Sequence, residues 1–309
     1  MNIVVVGSLN MDVIVSVDPY PGPGETVTGG PVSYVPGGKG ANQALAAARL
    51  GANVTLLGML GADNNAMILK HALRNDGVNV EFLQTDPGPS GMAFVHLERD
   101  GTNRIILSPG ANCAFSPDKV LPFLGLISTA DAVLVQLEIP LDTVRVVLDT
   151  AYAAGVPTFL DPAPVNRNLF NQIHSVDWIT PNEHEAELLT GQSVRDAKTA
   201  RIAAAKLMQL GAKRVLLKVG AEGVYVADEN GVVHQPSFAI SPVDTTAAGD
   251  AFSAAFVVDY LQNRNVQLAA RHACAAGAMA STKMGAQPSL PYRKEVLDFL
   301  ERSGGVQAI

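Results

Sequence analysis

The alternation of apolar and polar positions divides the 309-residue chain into short buried strands and amphipathic helices. Residues 3–6 (Ile-Val-Val-Val) form an apolar, β-branched run that stops at Gly7, the pattern of a first strand buried on both faces. Residues 11–17 begin to alternate, as a half-exposed strand does. Pro19-Tyr20-Pro21-Gly22-Pro23-Gly24 excludes helix and strand interior alike, and extended character resumes over 25–35. An Ala-rich helix is predicted over 41–50, opened by Gly37-Gly38-Lys39-Gly40 and stopped at Gly51. A strand over 53–59 and a helix over 64–75 follow. Residues 91–97 and 104–107 read as a hairpin, whose link Glu98-Arg99-Asp100-Gly101 carries an Asp-Gly turn signal.

From about residue 117 strand and helix alternate. Strands are predicted over 132–136, 158–161, 178–180 and 214–219, and helices over 141–154, 183–189 and 197–210. A hairpin follows over 223–227 and 232–234, then an extended segment over 238–243. Helices over 249–261, 266–282 and 293–302 complete the chain. This rhythm predicts a doubly wound α/β fold, a mostly parallel sheet with helices on both faces. The extended segments at about 12–36 and 91–108 interrupt it. Each is inserted between core elements, which predicts a small β-sheet lid on one large domain spanning 1–309.

Composition narrows the function. The net charge of −7 leaves no basic surplus for a run of phosphates, which excludes a general nucleic-acid binder. Cys113 and Cys274 lie far apart without metal spacing, so no disulfide framework is expected. Both are expected to be buried small hydrophobes in a reducing, cytoplasmic setting. The first residues lack a basic region and a long apolar run, so no signal peptide is expected, and no window is apolar enough to span a membrane. The 28 glycines are a modest surplus, and they cluster at the segments that matter next.

Four of those segments can carry chemistry. Gly37-Gly38-Lys39-Gly40-Ala41-Asn42 joins an extended segment to a helix start. Its glycines let a ligand approach the backbone, free helix amides face it, and Lys39 and Asn42 add donors. It lacks the Walker spacing, and a tight turn with a solvated lysine also fits. Asp244-Thr245-Thr246-Ala247-Ala248-Gly249-Asp250 opens another helix with consecutive exposed amides, an anion hole. A bound phosphate repels a carboxylate, so Asp250 suits a base that takes a proton from an attacking hydroxyl. A first-turn acid on the helix dipole is the alternative. Asn10 and Asp12 follow the first strand, where open α/β sheets bind ligands. They can take several hydroxyls of a polyol or be ordinary turn residues. Asn182 and Glu185 read as a capping box, or as groups that order water and Mg²⁺ near nucleotide phosphates. The 6 histidines show no zinc spacing and G-x-S-x-G is absent, so neither a zinc site nor a hydrolase elbow is supported.

Taken in order, these motifs resemble the ribokinase branch of the PfkB carbohydrate kinase family over essentially the whole chain. The resemblance rests on Val6-Gly7-Ser8-Leu9-Asn10-Met11-Asp12, residues 37–44, Pro181-Asn182-Glu183-His184-Glu185, residues 244–252 and Gly285-Ala286-Gln287-Pro288-Ser289. It implies ATP-dependent transfer of the γ-phosphate to the 5-hydroxyl of D-ribose, and a homodimer in which the lids clasp. By resemblance Asp250 is the base, and the amides around Ala247, Ala248 and Gly249 hold the developing charge. Asn10, Asp12, Gly38, Lys39, Asn42 and Glu138 bind the sugar. Asn182, Lys218, Gly220 and Gly223 lie at the nucleotide, with Glu185 ordering Mg²⁺. Asp244, Thr246, Ala280, Lys283, Gly285 and Ser289 match a loop for a monovalent cation, K⁺. Lys218 departs from a common Thr, Met284 from a frequent Lys, and Cys274 from a His or Asn near the adenine. Asn10 favours ribose over its 2-deoxy analogue. A kinase for another small sugar or nucleoside is the alternative. A sugar-binding regulator without catalysis is the third reading, and the intact Gly249-Asp250 pair argues against it.

Overall fold

A computed structural model of the chain describes residues 1–97, 103–172 and 176–304. Its strands are β1 (Asn2–Val6), β2 (Asn10–Ser16), β3 (Val32–Gly37), β4 (Asn53–Leu57), β5 (Met59–Gly61), β6 (Gln84–Asp86), β7 (Gly91–Leu97), β8 (Asn103–Ser108), β9 (Ala132–Gln136), β10 (Thr158–Asp161), β11 (Val176–Ile179), β12 (Ala212–Lys218), β13 (Val224–Asp228) and β14 (Gly231–Gln235). Eight of them form one sheet in the order β14-β13-β12-β11-β10-β9-β1-β4. The strands from β4 to β12 run parallel, and the β13–β14 hairpin closes the far edge antiparallel.

Alternate residues of β1 explain why helices must cover both faces. Ile3 and Val5 join Leu134, Phe159, Trp178 and Leu216 in one apolar cluster with the helices Lys39–Arg49, Ala248–Asn263 and Val266–Ala280. Val4 and Val6 join Val133, Val135, Leu160 and Leu217 in a second, against the helices Leu141–Ala154 and Ala197–Gln209. A strand buried on both faces reads as a continuous apolar run, which is what 3–6 shows. Residues 250–259 of the helix Ala248–Asn263 are all buried, and they are apolar apart from Asp250, Ser253 and Asp259. Its Phe256 packs edge-on to Trp178 with ring centroids 4.9 Å apart.

Strand order reverses at β1: the chain passes to β4 on one side and later to β9 on the other. In parallel open sheets a crevice opens at the carboxyl ends of the strands at such a point. A second sheet, β3-β2-β7-β8, rises there, because only three residues separate the end of β1 from the start of β2. Asn10 of β2 pairs with Gly37 of β3 and with Gly91 of β7.

Several expectations change. Residues 25–31 form no strand, and β3 is confined to Val32–Gly37. The strand expected over 53–59 breaks at Gly58, where a Cβ would stand 2.6 Å from the Gly7 carbonyl oxygen. Its continuation, β5, pairs instead with β6, which the pattern did not predict. The segment 238–243 forms no strand, since Phe238, Ala239, Ile240 and Pro242 line a cleft rather than a neighbouring strand. Cys113 is exposed, on a single 3₁₀ turn, with its thiol donating to the Gly110 carbonyl at 3.0 Å; only Cys274 is buried. The turn Glu98-Arg99-Asp100-Gly101 lies outside the described residues. No described helix is long and apolar enough to cross a membrane.

Candidate active site

A cleft of about 960 Å³ lies between the carboxyl ends of the parallel strands and the second sheet. Two helix starts build its floor. The helix Lys39–Arg49 begins at Gly38, whose φ of +91° no ordinary side chain adopts readily; a Cβ there would also meet the Asn10 amide nitrogen at 2.6 Å. The helix Ala248–Asn263 begins after Ala247, a non-glycine residue held at φ +60°. A residue held in this region marks a site whose surroundings impose it. The Ala248 amide bonds the Thr245 carbonyl at 3.2 Å, which corrects the expectation that it is free for a ligand. Ala251 makes the helix's first backbone bond to Ala247, at 2.9 Å. Among the described residues the Gly249 and Asp250 amides have no backbone partner, as helix starts dictate.

The floor carries Asp250, which is 4% exposed. Asn42 Nδ2 donates to its Oδ2 at 2.9 Å, and Gln43 Nε2 to its Oδ1 at 3.0 Å. Two signature segments 208 residues apart therefore meet at one carboxylate. Burial pushes the Asp250 pKa above the ordinary carboxylate range, opposed by the Lys39 charge and reinforced by Asp161. Asp161, at the end of β10, stands 3.5 Å from Lys39 Nζ and 4.0 Å from Lys218 Nζ. Burial works against the charge of Lys39, but Asp161, Asp250, Glu138 and Glu185 outweigh it and hold the ammonium protonated.

The wall toward the second sheet is polar. Asn10 Oδ1 accepts from Asn112 Nδ2 at 2.8 Å, and its Nδ2 donates to Glu138 Oε2 at 3.2 Å. The Lys39 amide donates to the same Glu138 oxygen at 3.2 Å. Asp12 is buried in β2, and its pKa is pushed up to about 7 by burial first and then by the Glu138 and Asp250 charges. Gly37 has no side chain because a Cβ would fall 2.2 Å from Asp12 Oδ2. Apolar Ala93, Val95, Ile105 and Leu107 of the second sheet complete this wall.

The opposite end holds Asn182, Glu185, Lys218, Gly220 and Gly223. The capping box is real: Asn182 Oδ1 accepts from the Glu185 amide at 2.8 Å, and Glu185 Oε2 from the Asn182 amide at 2.8 Å. The same pair lines the cleft, so capping and a ligand role coexist. Burial and then the Asp161 charge raise the Glu185 pKa, against Lys218 and Lys39. Cys274 lies in this region too, its thiol pushed up to about 12 by burial.

Every expected sugar, nucleotide and catalytic residue lines the cleft. Of the expected cation set, only Thr246 does. Asp244 is buried behind it, accepting from the Thr246 amide at 2.9 Å, the Thr246 hydroxyl at 2.6 Å and the Gly285 amide at 2.8 Å. Ser289 Oγ donates to the Ala286 carbonyl at 2.8 Å, and Lys283 Nζ points instead to Glu295 Oε1 at 3.3 Å. Sequence reasoning missed Asp161, Gln43, Gln136 and Asn112. Asp161 had a legible signal, a carboxylate closing a strand at its carboxyl end; Gln136 and Asn112 had none.

The chain is similar to known proteins over almost its whole length. The family model described as pfkB family carbohydrate kinase matches residues 1–293. The ribokinase of Haemophilus influenzae is 39% identical over 300 residues, covering 97% of this chain and 98% of that protein. The ribokinase of Bacillus subtilis is 37% identical, covering 97% and 99%. The structure of Arabidopsis thaliana ribokinase complexed with ribose and ATP matches with a TM-score of 0.87 at 35% identity, covering 97% of this chain and 98% of that one. The chain belongs to the pfkB family of carbohydrate kinases.

Proposed function

We propose that the chain transfers the γ-phosphate of ATP to the 5-hydroxyl of D-ribose. The observation that carries this reading is Asp250, a buried carboxylate beside unpartnered helix-start amides on the floor of a cleft rich in hydroxyl-binding groups. The chain's kinship with ribokinases, one of them solved with ribose and ATP, supports the same substrates. Asn10, Asp12, Gly38, Lys39, Asn42 and Glu138 take the sugar hydroxyls. Asn42 Oδ1 is buried without a hydrogen-bond partner. Asp250 accepts the 5-hydroxyl proton as that oxygen attacks phosphorus. The Gly249 and Asp250 amides, with Ala247 forcing the turn, and the fixed charge of Lys39 meet the negative charge developing on the phosphoryl group. Asn182, Lys218, Gly220 and Gly223 face the nucleotide.

Mg²⁺ fits the donor set. Glu183 and Glu185 offer oxygens on the cleft wall, where a cation held through phosphate and water could reach them. Bound through ATP and water, the ion would offset phosphate charge. A monovalent cation fits behind the anion hole. There Asp244 draws residues 244–246 and Gly285 together, and the loop of Asp244, Thr246, Ala280, Lys283, Gly285 and Ser289 would hold K⁺. The second sheet acts as a lid inserted at about 12–36 and 91–108. Its outer face carries a row formed by Tyr34, Val13, Phe94 and Ile106, joined by strand register. Tyr34 is 68% exposed and Ile106 55%, an apolar strip suited to a second copy of the chain.

The reading is tested by comparing kcat/KM over ribose, 2-deoxyribose, hexoses and nucleosides, alongside Asp250→Asn. Ribose is expected to lead, and Asp250→Asn to lower kcat by about 10²–10⁴-fold while sugar binding survives. Preference for another acceptor, or near-normal turnover in Asp250→Asn, would overturn it. Equal rates in K⁺ and Na⁺ at saturating ATP would remove the cation role. Phe94→Lys leaving the oligomeric state unchanged in sedimentation would remove the lid interface.

A further inference from the structure

We propose that Gln43 is the positioning residue of the catalytic carboxylate, and that Gln136 and Gly7 serve to hold Gln43 in a single orientation. This rests on Asp250 being the base. Gln43 is 1% exposed and does not line the cleft, so it cannot touch sugar or nucleotide; it acts only through its neighbours. A primary amide nitrogen has two hydrogens. In Gln43 one goes to Asp250 Oδ1 at 3.0 Å and the other to Asp161 Oδ2 at 3.1 Å. Its oxygen accepts from Gln136 Nε2 at 2.6 Å. Flipping the amide would face its oxygen to two carboxylates and its nitrogen to another NH₂, so the partners admit one orientation.

Gln136 reaches Gln43 because residue 7 has no side chain: a Cβ on Gly7 would lie 2.1 Å from Gln136 Oε1. The other ligand of the base is placed differently. Asn42 Nδ2 holds Asp250 Oδ2, but Asn42 also lines the cleft, where a bound molecule competes for it, whereas all three partners of Gln43 are protein groups. The charges around Asp250 are Lys39, Asp161 and Asp12, with Lys218 Nζ 3.3 Å from where a Cβ on Gly249 would lie. Among these, Gln43 bridges the two carboxylates without adding charge.

The test uses Gln43→Met, which keeps length without donors, and Gln136→Met, which frees Gln43 to turn. Gln43→Met is expected to slow single-turnover phosphoryl transfer about 10- to 100-fold, the scale of a 1 Å misplacement. Sugar affinity should stay within about 3-fold, since no group that contacts substrate changes. The acid limb of the kcat/KM profile should move up by about one pH unit, because ionised Asp250 loses a donor. Gln136→Met should move rate and profile the same way by less. A single-turnover rate within 2-fold of the parent, or a loss confined to sugar affinity with an unmoved profile, overturns the proposal. If Gln43→Met fails to fold by circular dichroism, the same outcomes read on Gln136→Met decide. Asp250→Asn run in parallel separates the failures. If that variant is inactive while the glutamine variants are normal, only this inference falls; if it turns over, the base assignment falls first.

Discussion

Replacing Asp12 with Asn removes a charge that the folded protein holds at a cost, and the cost should be readable as pH-dependent stability. Asp12 is 6% exposed, and burial, reinforced by the charges of Glu138 and Asp250, pushes its pKa from 3.8 to about 7. Below pH 3.8 the acid is neutral in both folded and unfolded chains. Between 3.8 and about 7 the unfolded chain gives up the proton while the folded one keeps it, so stability falls as pH rises. Above about 7 the loss is complete. At 1.36 kcal/mol per pH unit the ceiling is about 4 kcal/mol. Rearrangement of Lys39 and water entry into the open cleft lower this, and we expect about 1–3 kcal/mol. The amide of Asp12→Asn has nothing to titrate. Urea unfolding of both proteins from pH 5 to 8.5 should show the advantage of Asp12→Asn growing with pH, by at most about 2.7 kcal/mol across that interval. A difference independent of pH would refute the reasoning. The same variant should raise the sugar KM.

Two further substitutions test the scaffold. Gly40→Ala would set a Cβ 2.5 Å from the Gly7 carbonyl carbon and the Ser8 nitrogen, both backbone atoms that cannot swing aside. It should cost about 1–3 kcal/mol in denaturant unfolding, and a neutral result would disprove the close approach of this helix to β1. Arg264 caps the helix Ala248–Asn263 at φ +52°. Arg264→Gly should stabilise by up to about 1 kcal/mol, less any loss from the Arg264–Tyr260 ring contact, and a drop in Tm would count against that strain.

The fold was legible where pattern and burial agree. The helix over 141–154 and the strand over 158–161 follow the predicted bounds, because the helix buries one regular face and stops at Gly155, and the strand is a short run buried at every position. It was illegible where a partner decides. Residues 238–243 look extended yet face a cleft, and β5 exists as a separate strand because Gly58 passes close to Gly7. The candidate site followed the same division. Glycine-rich helix starts announce themselves, so Lys39, Asn42 and Asp250 stood out. Gln43 and Gln136 did not, since an amide says nothing until its acceptors are known. Cys113 misled for a related reason: a residue type's usual burial does not apply on a single 3₁₀ turn at the surface.

The division of sugar-facing groups between two bodies has a kinetic consequence. Asp12 rides on β2 of the second sheet, while Lys39 and Asn42 sit on the helix Lys39–Arg49 of the main body. In the proposed sugar-binding role, an acceptor that bridges them contacts both bodies at once, and its escape then requires letting go of each.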